Sequence, residues 1–227
     1  MERYSLISTK MKREFILLQG TGCRWKKCAF CDYHTDISQN PLDTNYKVLQ
    51  NVTGEYGVLD VINSGSCIEI DNDTLRMLNN VITKRNIHTV WFESHYMFRH
   101  HLDKFAQQLP TAEVKFRCGI ETFNPQTRAL WNKGISGNVS PLDISKYFKG
   151  VCLLCCVEGQ TREQILTDIH TAKKYFEYFS VNVFCNNSTS IQRSEELYTW
   201  FCNKVYPFIK DDPKIEVLIN NTDLGVG

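Results

Sequence analysis

The sequence lacks any apolar run of about 18 residues, which is the length that a membrane-spanning helix needs. It also lacks a secretory signal at its start, because the first residues, MERYSLISTKMKREFILLQG, are interrupted by charges every few positions. Both absences predict a cytoplasmic protein whose ten cysteines stay reduced. In such a compartment, clustered thiols more often serve a metal or catalysis than form disulfides.

Charge of one sign is not in excess either. The chain carries 26 basic and 25 acidic side chains, so its formal net charge is +1. Proteins that bind a polynucleotide usually show a basic excess or a basic tail, because contacts with phosphate provide much of the affinity. The charge balance therefore argues against nucleic acid as a partner.

No linker, repeat or low-complexity segment divides the chain, so residues 1–227 are expected to form a single domain. Seven short apolar runs alternate with helical patterns. Most of these runs are apolar at both odd and even positions, as in parallel strands covered on both faces. The chain is short for eight complete β-then-α units. We therefore predict an α/β fold, an incomplete (β/α) TIM-like barrel with about six to seven parallel strands. The candidate strands are FILLQ, GVLDVI, HTVWFE, EVKFRCGIE, VCLLCCV, FSVNVFC and KIEVLI.

Two segments predict long helices with recognisable starts. In DNDTLRMLNNVITKR, Leu75, Leu78 and Ile82 repeat at helical spacing behind a candidate cap further upstream, Asp73. The segment TREQILTDIHTAKKYF opens with the T-x-x-Q pattern of a capping box. NPQTRALWNKG and SEELYTWFCNKV are also predicted to be helical.

Three cysteines, Cys23, Cys28 and Cys31, stand within nine residues directly after the first predicted strand. Parallel α/β folds place their chemistry at the carboxyl ends of the strands, so this loop lies at the catalytic end. Four cysteines would close a zinc site or complete an iron–sulfur cube. Three leave one coordination position open, as a catalytic centre requires. A zinc site with His34 as the fourth ligand is the alternative.

With Phe30 immediately before the last cysteine, CRWKKCAFC resembles the cysteine motif of the radical S-adenosylmethionine (SAM) superfamily. The usual spacing there is C-x3-C-x2-C, so the C-x4-C here is a departure that affects the geometry of the loop. The resemblance implies a [4Fe–4S] cluster on Cys23, Cys28 and Cys31, with SAM on its open iron. It also implies reductive cleavage of SAM to a hydrogen-abstracting 5′-deoxyadenosyl radical, and an external electron donor such as flavodoxin or ferredoxin.

Polar residues at later strand ends extend this resemblance. NSGS, after the second strand, is similar to a glycine-rich segment whose backbone contacts the methionyl amino group. Glu93 matches an acidic position that contacts the ribose or methionyl part, and Arg117 and Glu121 resemble residues that hold the carboxylate or ribose. The cofactor site that the resemblance implies consists of Phe30, Asn63, Ser64, Gly65, Ser66, Glu93 and Arg117.

Acids, amides and aromatics are frequent at these predicted strand ends. Such a rim suits a small, nitrogen-rich heterocycle, since carboxylates accept hydrogen bonds from a guanine-type edge and aromatic rings stack on its face. The candidate catalytic residues are Glu93, His95, Tyr96 and Glu121, and Asn186 and Asn187 belong to the same rim.

Taken as a whole, the sequence resembles the queuine lyases, compact radical enzymes of bacterial queuine salvage. This resemblance implies cleavage of the C–N bond that joins the aminomethyl nitrogen of queuine to the cyclopentenediol ring, which releases 7-aminomethyl-7-deazaguanine. Two alternatives stay open. One is another radical reaction, such as tRNA modification or peptide maturation, and the other is a zinc or iron–sulfur binding module without enzymatic activity.

The remaining cysteines have a simpler interpretation. Cys152, Cys155 and Cys156 lie in the apolar run VCLLCCV, where a free cysteine behaves as a small hydrophobic residue. We predict that they are buried and hold no second cluster. Cys67 and Cys118 stand beside the predicted site and are left without a role.

Overall fold

The computed structural model describes residues 1–226. The chain divides into two compact units. The first comprises Met1–Lys26, Tyr33–Phe116 and the residues from Leu224 onward, and the second comprises Lys27–Asp32 and Arg117–Asp223. The expectation that residues 1–227 form a single domain stays a prediction.

The strands of the first unit are β1 (Tyr4–Ile7), β2 (Arg13–Leu18), β3 (Val58–Asn63) and β4 (Thr89–Ser94). β1 pairs antiparallel with β2, whereas β2 pairs parallel with β3 and β3 with β4. All residues of β2 are buried, as expected for a strand covered on both faces. The register sets Leu18 opposite Asn63, so β2 and β3 end at the same level.

The strands that build the second unit are β5 (Glu113–Glu121), β6 (Gly150–Cys155), β7 (Tyr178–Val183) and β8 (Ile215–Leu218). They pair in parallel in the order β5-β6-β7-β8. Three parallel strands, β2 to β4, and these four make seven, in agreement with the prediction. All seven predicted strands are present within two residues of their expected bounds, and β1 is an addition.

The helices of the first unit are α1 (Pro41–Gln50), α2 (Asn72–Lys84) and α3 (Leu102–Ala106). Those of the second are α4 (Pro125–Leu130), α5 (Pro141–Ser145), α6 (Arg162–Tyr175), α7 (Glu195–Lys204) and α8 (Tyr206–Ile209). The alternation of these helices with parallel strands confirms the predicted α/β class. In the described residues 1–226, every helix is too short or too polar to cross a bilayer.

The caps of the two longest helices differ in how well they were predicted. The capping box of α6 is confirmed, because the Thr161 hydroxyl accepts from the Gln164 N–H at 3.1 Å and Gln164 Oε1 accepts from the Thr161 N–H at 2.9 Å. The cap of α2 was assigned wrongly to Asp73. Asp71 caps this helix by accepting from the Thr74 N–H at 2.8 Å, and Asp73 lies inside the first turn.

Residues from the two ends of the described chain pack together in the first unit. Ile7, Phe15 and Leu17 of β1 and β2 form one apolar cluster with Val226, and the Ser5 hydroxyl donates to the carbonyl oxygen of Leu224. Both contacts hold the segment from Leu224 onward against the outer part of the sheet.

A buried carboxyl group links α6 to the end of β5. Asp168 is 4% exposed, and its Oδ1 accepts from the Phe123 N–H at 2.7 Å. Burial raises the pKa of Asp168 to about 6 from 3.8, despite the hydrogen bonds from Thr122 and Phe123 and the attraction of Arg128, which lower it. The folded state therefore binds this proton more tightly than the unfolded state does.

The raised pKa of Asp168 predicts a pH-dependent stability. The contribution of this group is complete below about pH 4 and is lost as the pH rises through about 6. Asp168→Asn keeps an acceptor for Phe123 and removes the titration. Urea unfolding should show the variant gaining free energy of unfolding relative to the parent between about pH 4 and 6, by up to about 3 kcal/mol. The exposed Asp211→Asn is the control, and parallel pH curves for Asp168→Asn and the parent would refute the assignment.

Candidate active site

In the first unit, the loop that carries Cys23 is fixed at its base by Ser64, which follows β3, and by Asn45 of α1. The Gly20 N–H donates to the Ser64 hydroxyl at 3.1 Å, and the Gln19 N–H donates to Asn45 Oδ1 at 2.7 Å. Ser64 is 5% exposed, so this contact is shielded from water. The predicted cofactor residue Ser64 thus holds the cysteine loop directly.

One carboxylate ties the Cys23 end of the loop to the turn after β3. Glu69 Oε1 accepts from the Arg24 N–H at 2.6 Å, and Glu69 Oε2 accepts from the Ser66 N–H at 2.8 Å. Hydrogen bonds from backbone N–H groups to an ionised carboxylate are short and strong. Glu69 therefore fixes the positions of two backbone segments that the sequence placed in the site, although Glu69 itself was not predicted.

Gly65 lies against the same loop. A Cβ atom at this position would stand 2.7 Å from Glu69 Oε2, 2.9 Å from the Gly22 carbonyl oxygen and 3.3 Å from Cys23 Cα. The absence of a side chain is therefore needed for the loop to pass, whatever else approaches here. A contact between Gly65 and the methionyl group of SAM stays a prediction.

Between Cys23 and Cys28 the chain has one residue more than the usual C-x3-C spacing. A left-handed turn and an aromatic stack accommodate the longer loop. Lys26 has φ of 35°, and its N–H points to Cys23 Sγ at 3.5 Å. The Trp25 ring stacks on the His95 ring with 5.5 Å between centroids and 22° between planes. The Arg24 guanidinium lies over the Phe98 ring at 5.8 Å. The longer loop is thus docked on the segment that follows β4.

The predicted catalytic residue His95 is held on several sides. Its N–H donates to the Ser66 hydroxyl at 3.0 Å, and its Nδ1 accepts from the Met97 N–H at 3.1 Å. A neutral ring that accepts at Nδ1 carries its proton on Nε2. His95 is 9% exposed, so the stack with Trp25 and these two hydrogen bonds leave little freedom for the ring.

The other predicted residues of this unit also lie at strand ends. Asn63, the last residue of β3, donates from Nδ2 to the Ser66 carbonyl oxygen at 3.3 Å. Glu93 is half-buried, one residue before the end of β4. Tyr96 is buried, and the Arg99 guanidinium lies over its ring at 4.6 Å. The structure therefore groups Asn63 and Ser66 by a direct contact, and it places Glu93 near the end of the neighbouring strand β4 and Tyr96 just after it.

In the second unit, Phe30 anchors the Cys28–Cys31 part of the loop. Phe30 is 8% exposed and packs with Trp131, Val157 and Phe184, and Cys28 and Cys31 lie against this cluster. The Phe30 and Trp131 rings meet edge to face at 5.7 Å. Phe30 therefore acts as a hydrophobic anchor for two of the three cysteines.

Polar contacts fix the same part of the loop. The Ala29 N–H donates to the Trp131 carbonyl oxygen at 2.9 Å, and Asn187 Nδ2 donates to the Phe30 carbonyl oxygen at 2.8 Å. Asp32 Oδ2 accepts from the N–H and the hydroxyl of Ser188 at 3.0 and 2.8 Å. The rim residue Asn187 thus binds the loop backbone, a role that the sequence did not indicate.

Glu121, at the end of β5, is paired with a buried lysine. Lys133 Nζ donates to Glu121 Oε1 at 2.8 Å, and both side chains are 9% exposed. Burial opposes the charge of Lys133, but the attraction of Glu121, followed by that of Cys28, outweighs it and raises the pKa of Lys133. Glu121 has φ of 67°, an uncommon conformation for a residue with a side chain. Such strain is often found at functional sites.

Arg117 lies away from the end of its strand. It pairs with Gly150, the first residue of β6, and four residues separate it from the end of β5 at Glu121. At about 3.3 Å per residue, this distance is about 13 Å. A contact between Arg117 and the cofactor stays a prediction.

The chemistry of the three loop cysteines fits an iron–sulfur cluster. Cys23, Cys28 and Cys31 form no disulfide and are half-buried, so they can accept a metal from solution. Within residues 1–226, no three His, Cys, Asp or Glu side chains already converge as a metal site, so the fit rests on donor type and accessibility. Cys152, Cys155 and Cys156 are buried, which confirms the predicted burial, whereas the absence of a second cluster stays a prediction.

No family model and no curated protein matches the chain. Among solved structures, it is similar to the queuine lyase from Clostridium spiroforme bound to SAM and queuine, with a TM-score of 0.95 and 38% identity over 100% of this chain and 99% of that one. The chain belongs to the queuine lyase family. This membership confirms the resemblance to the radical SAM superfamily and the incomplete barrel that the resemblance implies.

A second solved structure is less similar to this chain. Streptococcus suis SuiB matches 96% of this chain and 51% of its own, with a TM-score of 0.55 and 12% identity. At this identity, the likeness shows the fold alone. The incomplete barrel is therefore shared with a larger protein.

Proposed function

We propose that this chain is a radical SAM lyase that cleaves the C–N bond of queuine and releases 7-aminomethyl-7-deazaguanine. The observation that carries this proposal is the 38% identity and TM-score of 0.95 with a queuine lyase that has SAM and queuine bound. Because the match covers 99% of that chain, it extends to nearly all of the protein that performs the reaction.

Cys23, Cys28 and Cys31 would hold a [4Fe–4S] cluster, and SAM would occupy its open iron. When bound, these groups supply the electron and the hydrogen-abstracting radical. The chain contributes a loop whose first part is fixed by Glu69 and Gly65 and whose second part is anchored by Phe30. A loop held in this way presents its thiols with little conformational entropy left to lose.

The residues proposed to bind SAM lie at or just after the ends of β3 and β4. Backbone groups of this segment are already oriented by Glu69 and by the hydrogen bond between the Ser66 hydroxyl and the His95 N–H. An ionised carboxylate can accept from ribose hydroxyls or from an ammonium group, which suits Glu93. These residues are Asn63, Ser64, Gly65, Ser66 and Glu93.

Glu121, His95 and Tyr96 are proposed to face queuine. Lys133 occupies one oxygen of the Glu121 carboxylate, and the second oxygen keeps its capacity to accept from the N–H edge of a guanine-type base. His95 carries its proton on Nε2 and so offers a donor. The Tyr96 ring is proposed to stack on the face of the base.

We also propose an external electron donor, a reduced flavodoxin or ferredoxin. Arg24, Lys26 and Lys27 are exposed between the first two cysteines, and such a basic segment favours encounter with an acidic partner. Thiols that are to hold a cluster need a reducing environment, so a cytoplasmic location belongs to the same proposal.

The proposal is tested by anaerobic incubation of cluster-loaded protein with dithionite, SAM and queuine, followed by mass spectrometry. We expect 7-aminomethyl-7-deazaguanine to form only when SAM and reductant are both present. Deuterium placed on the cyclopentenediol of queuine should appear in 5′-deoxyadenosine. Cys23→Ala protein is the control.

Two other outcomes would change the conclusion in different ways. Protein that leaves queuine untouched but acts on intact tRNA or on a peptide would refute the substrate and keep the superfamily. Protein that holds zinc and does not cleave SAM would refute the enzymatic function altogether.

A further inference from the structure

The ion pair between Glu121 and Lys133 is expensive to maintain. Both side chains are 9% exposed, and Glu121 adopts a left-handed backbone conformation. Removing two charges from water costs more than a single good contact usually returns. Two apolar side chains of similar size would fill the same volume without that cost, so a role other than stability should retain the pair.

Lys133 belongs to the segment that carries the second part of the cysteine loop. Its Nζ lies 5.5 Å from the centre of the Phe30 ring, and Phe30 stands between Ala29 and Cys31 in the chain. Two residues before Lys133, the Trp131 carbonyl oxygen accepts from the Ala29 N–H at 2.9 Å. Cys28 packs against the cluster of buried residues that contains Phe30. The positive end of the ion pair is therefore directed at the loop.

Glu121 fixes where this positive charge lies. Its carboxylate holds Lys133 Nζ at 2.8 Å, so the long lysine side chain cannot turn away from the loop. A fixed positive charge close to a thiolate ligand favours the more negative, reduced state of an iron–sulfur cluster. The interior of a protein screens such a charge much less than water does.

We propose that Lys133, held by Glu121, is a positioning residue that raises the reduction potential of the cluster through Cys28. This inference rests on the proposed function, because it assumes a cluster on Cys28. The buried pair would therefore favour reduction of the cluster, a step that does not involve queuine.

The test is a redox titration of cluster-loaded protein, followed by electron paramagnetic resonance in the absence of SAM and queuine. Lys133→Met should shift the potential to a lower value, whereas Lys133→Arg keeps the charge and should match the parent. Lys133→Met leaves Glu121 buried without its partner. The double variant Lys133→Met with Glu121→Gln has no unpaired buried charge and decides the question if the single variant fails to fold or to hold its cluster.

Lys173→Met is the matched control. It removes the same positive charge from Lys173, an exposed residue of α6 that pairs with Asp212. A downward shift in Lys133→Met that exceeds that of Lys173→Met supports the proposal, as does a downward shift in the double variant, which removes one charge of each sign. A potential equal to that of the parent, a rise in potential, or an equal shift in Lys133→Arg overturns it. Failure to cleave queuine refutes the proposed function but leaves this titration meaningful, so the two failures are distinguishable.

Discussion

Alanine in place of Cys23, Cys28 or Cys31 is expected to abolish the visible absorption of the cluster. Iron bound per chain should fall from about four atoms to background, because each substitution removes one of only three protein ligands. Queuine cleavage should be lost with it. The measurements are the absorption spectrum and iron content after anaerobic reconstitution.

Two other cysteines provide controls for this experiment. Like the loop cysteines, Cys185 forms no disulfide and is half-buried, and Cys155 is 2% exposed in β6. Cys185→Ala and Cys155→Ala should keep the absorption and the iron. Bleaching in either control, or a cluster that survives in one of the three loop variants, would show that the ligand set is wrong.

The second large effect is expected at Gly65. Gly65→Ala places a Cβ atom 2.9 Å from the Gly22 carbonyl oxygen and 2.7 Å from Glu69 Oε2, distances that real Cβ atoms do not tolerate. The backbone next to Cys23 must then move, and Glu69 must release the Arg24 or Ser66 N–H. We therefore expect the variant to lose most of its bound iron as well as its affinity for SAM.

Gly137→Ala is the matched control, since the same methyl group would meet only Pro125 Cβ at 3.2 Å in an exposed turn. It should keep both the cluster and the binding of SAM. A Gly65→Ala protein with full iron content and weakened SAM binding would mean that Gly65 contacts the cofactor alone. Unchanged binding of both would remove this segment from the site.

The core of the fold could be predicted because its signals are local. Runs such as VCLLCCV are apolar on both parities, and the T-x-x-Q pattern at Thr161 marks the start of α6. β1 was missed, since its four residues, YSLI, carry no such run and pair only with β2. Asp71 and Asp73 are equivalent as caps in sequence, and packing of α2 decides between them.

The site was predictable to the extent that its residues follow one another along the chain. The cysteine loop and the Asn63–Ser66 segment are continuous, whereas Lys133 and Asn187 reach the loop only through the fold. Glu69 could have been found, because it stands three residues after Ser66 in a capping-box pattern. The left-handed backbone of Glu121 has no sequence signal, since glycine is the residue usually found there.

The cluster of Ile7, Phe15 and Leu17 with Val226 links the first unit to the order of synthesis. Residues Arg117–Asp223, which build the second unit, must leave the ribosome before Val226 exists to cover the apolar side chains of β1 and β2. Until then, these side chains keep apolar surface open to water, where chaperones or other nascent chains can bind it. Translation of the first unit begins before that of the second, but the apolar cluster of the first unit is completed last.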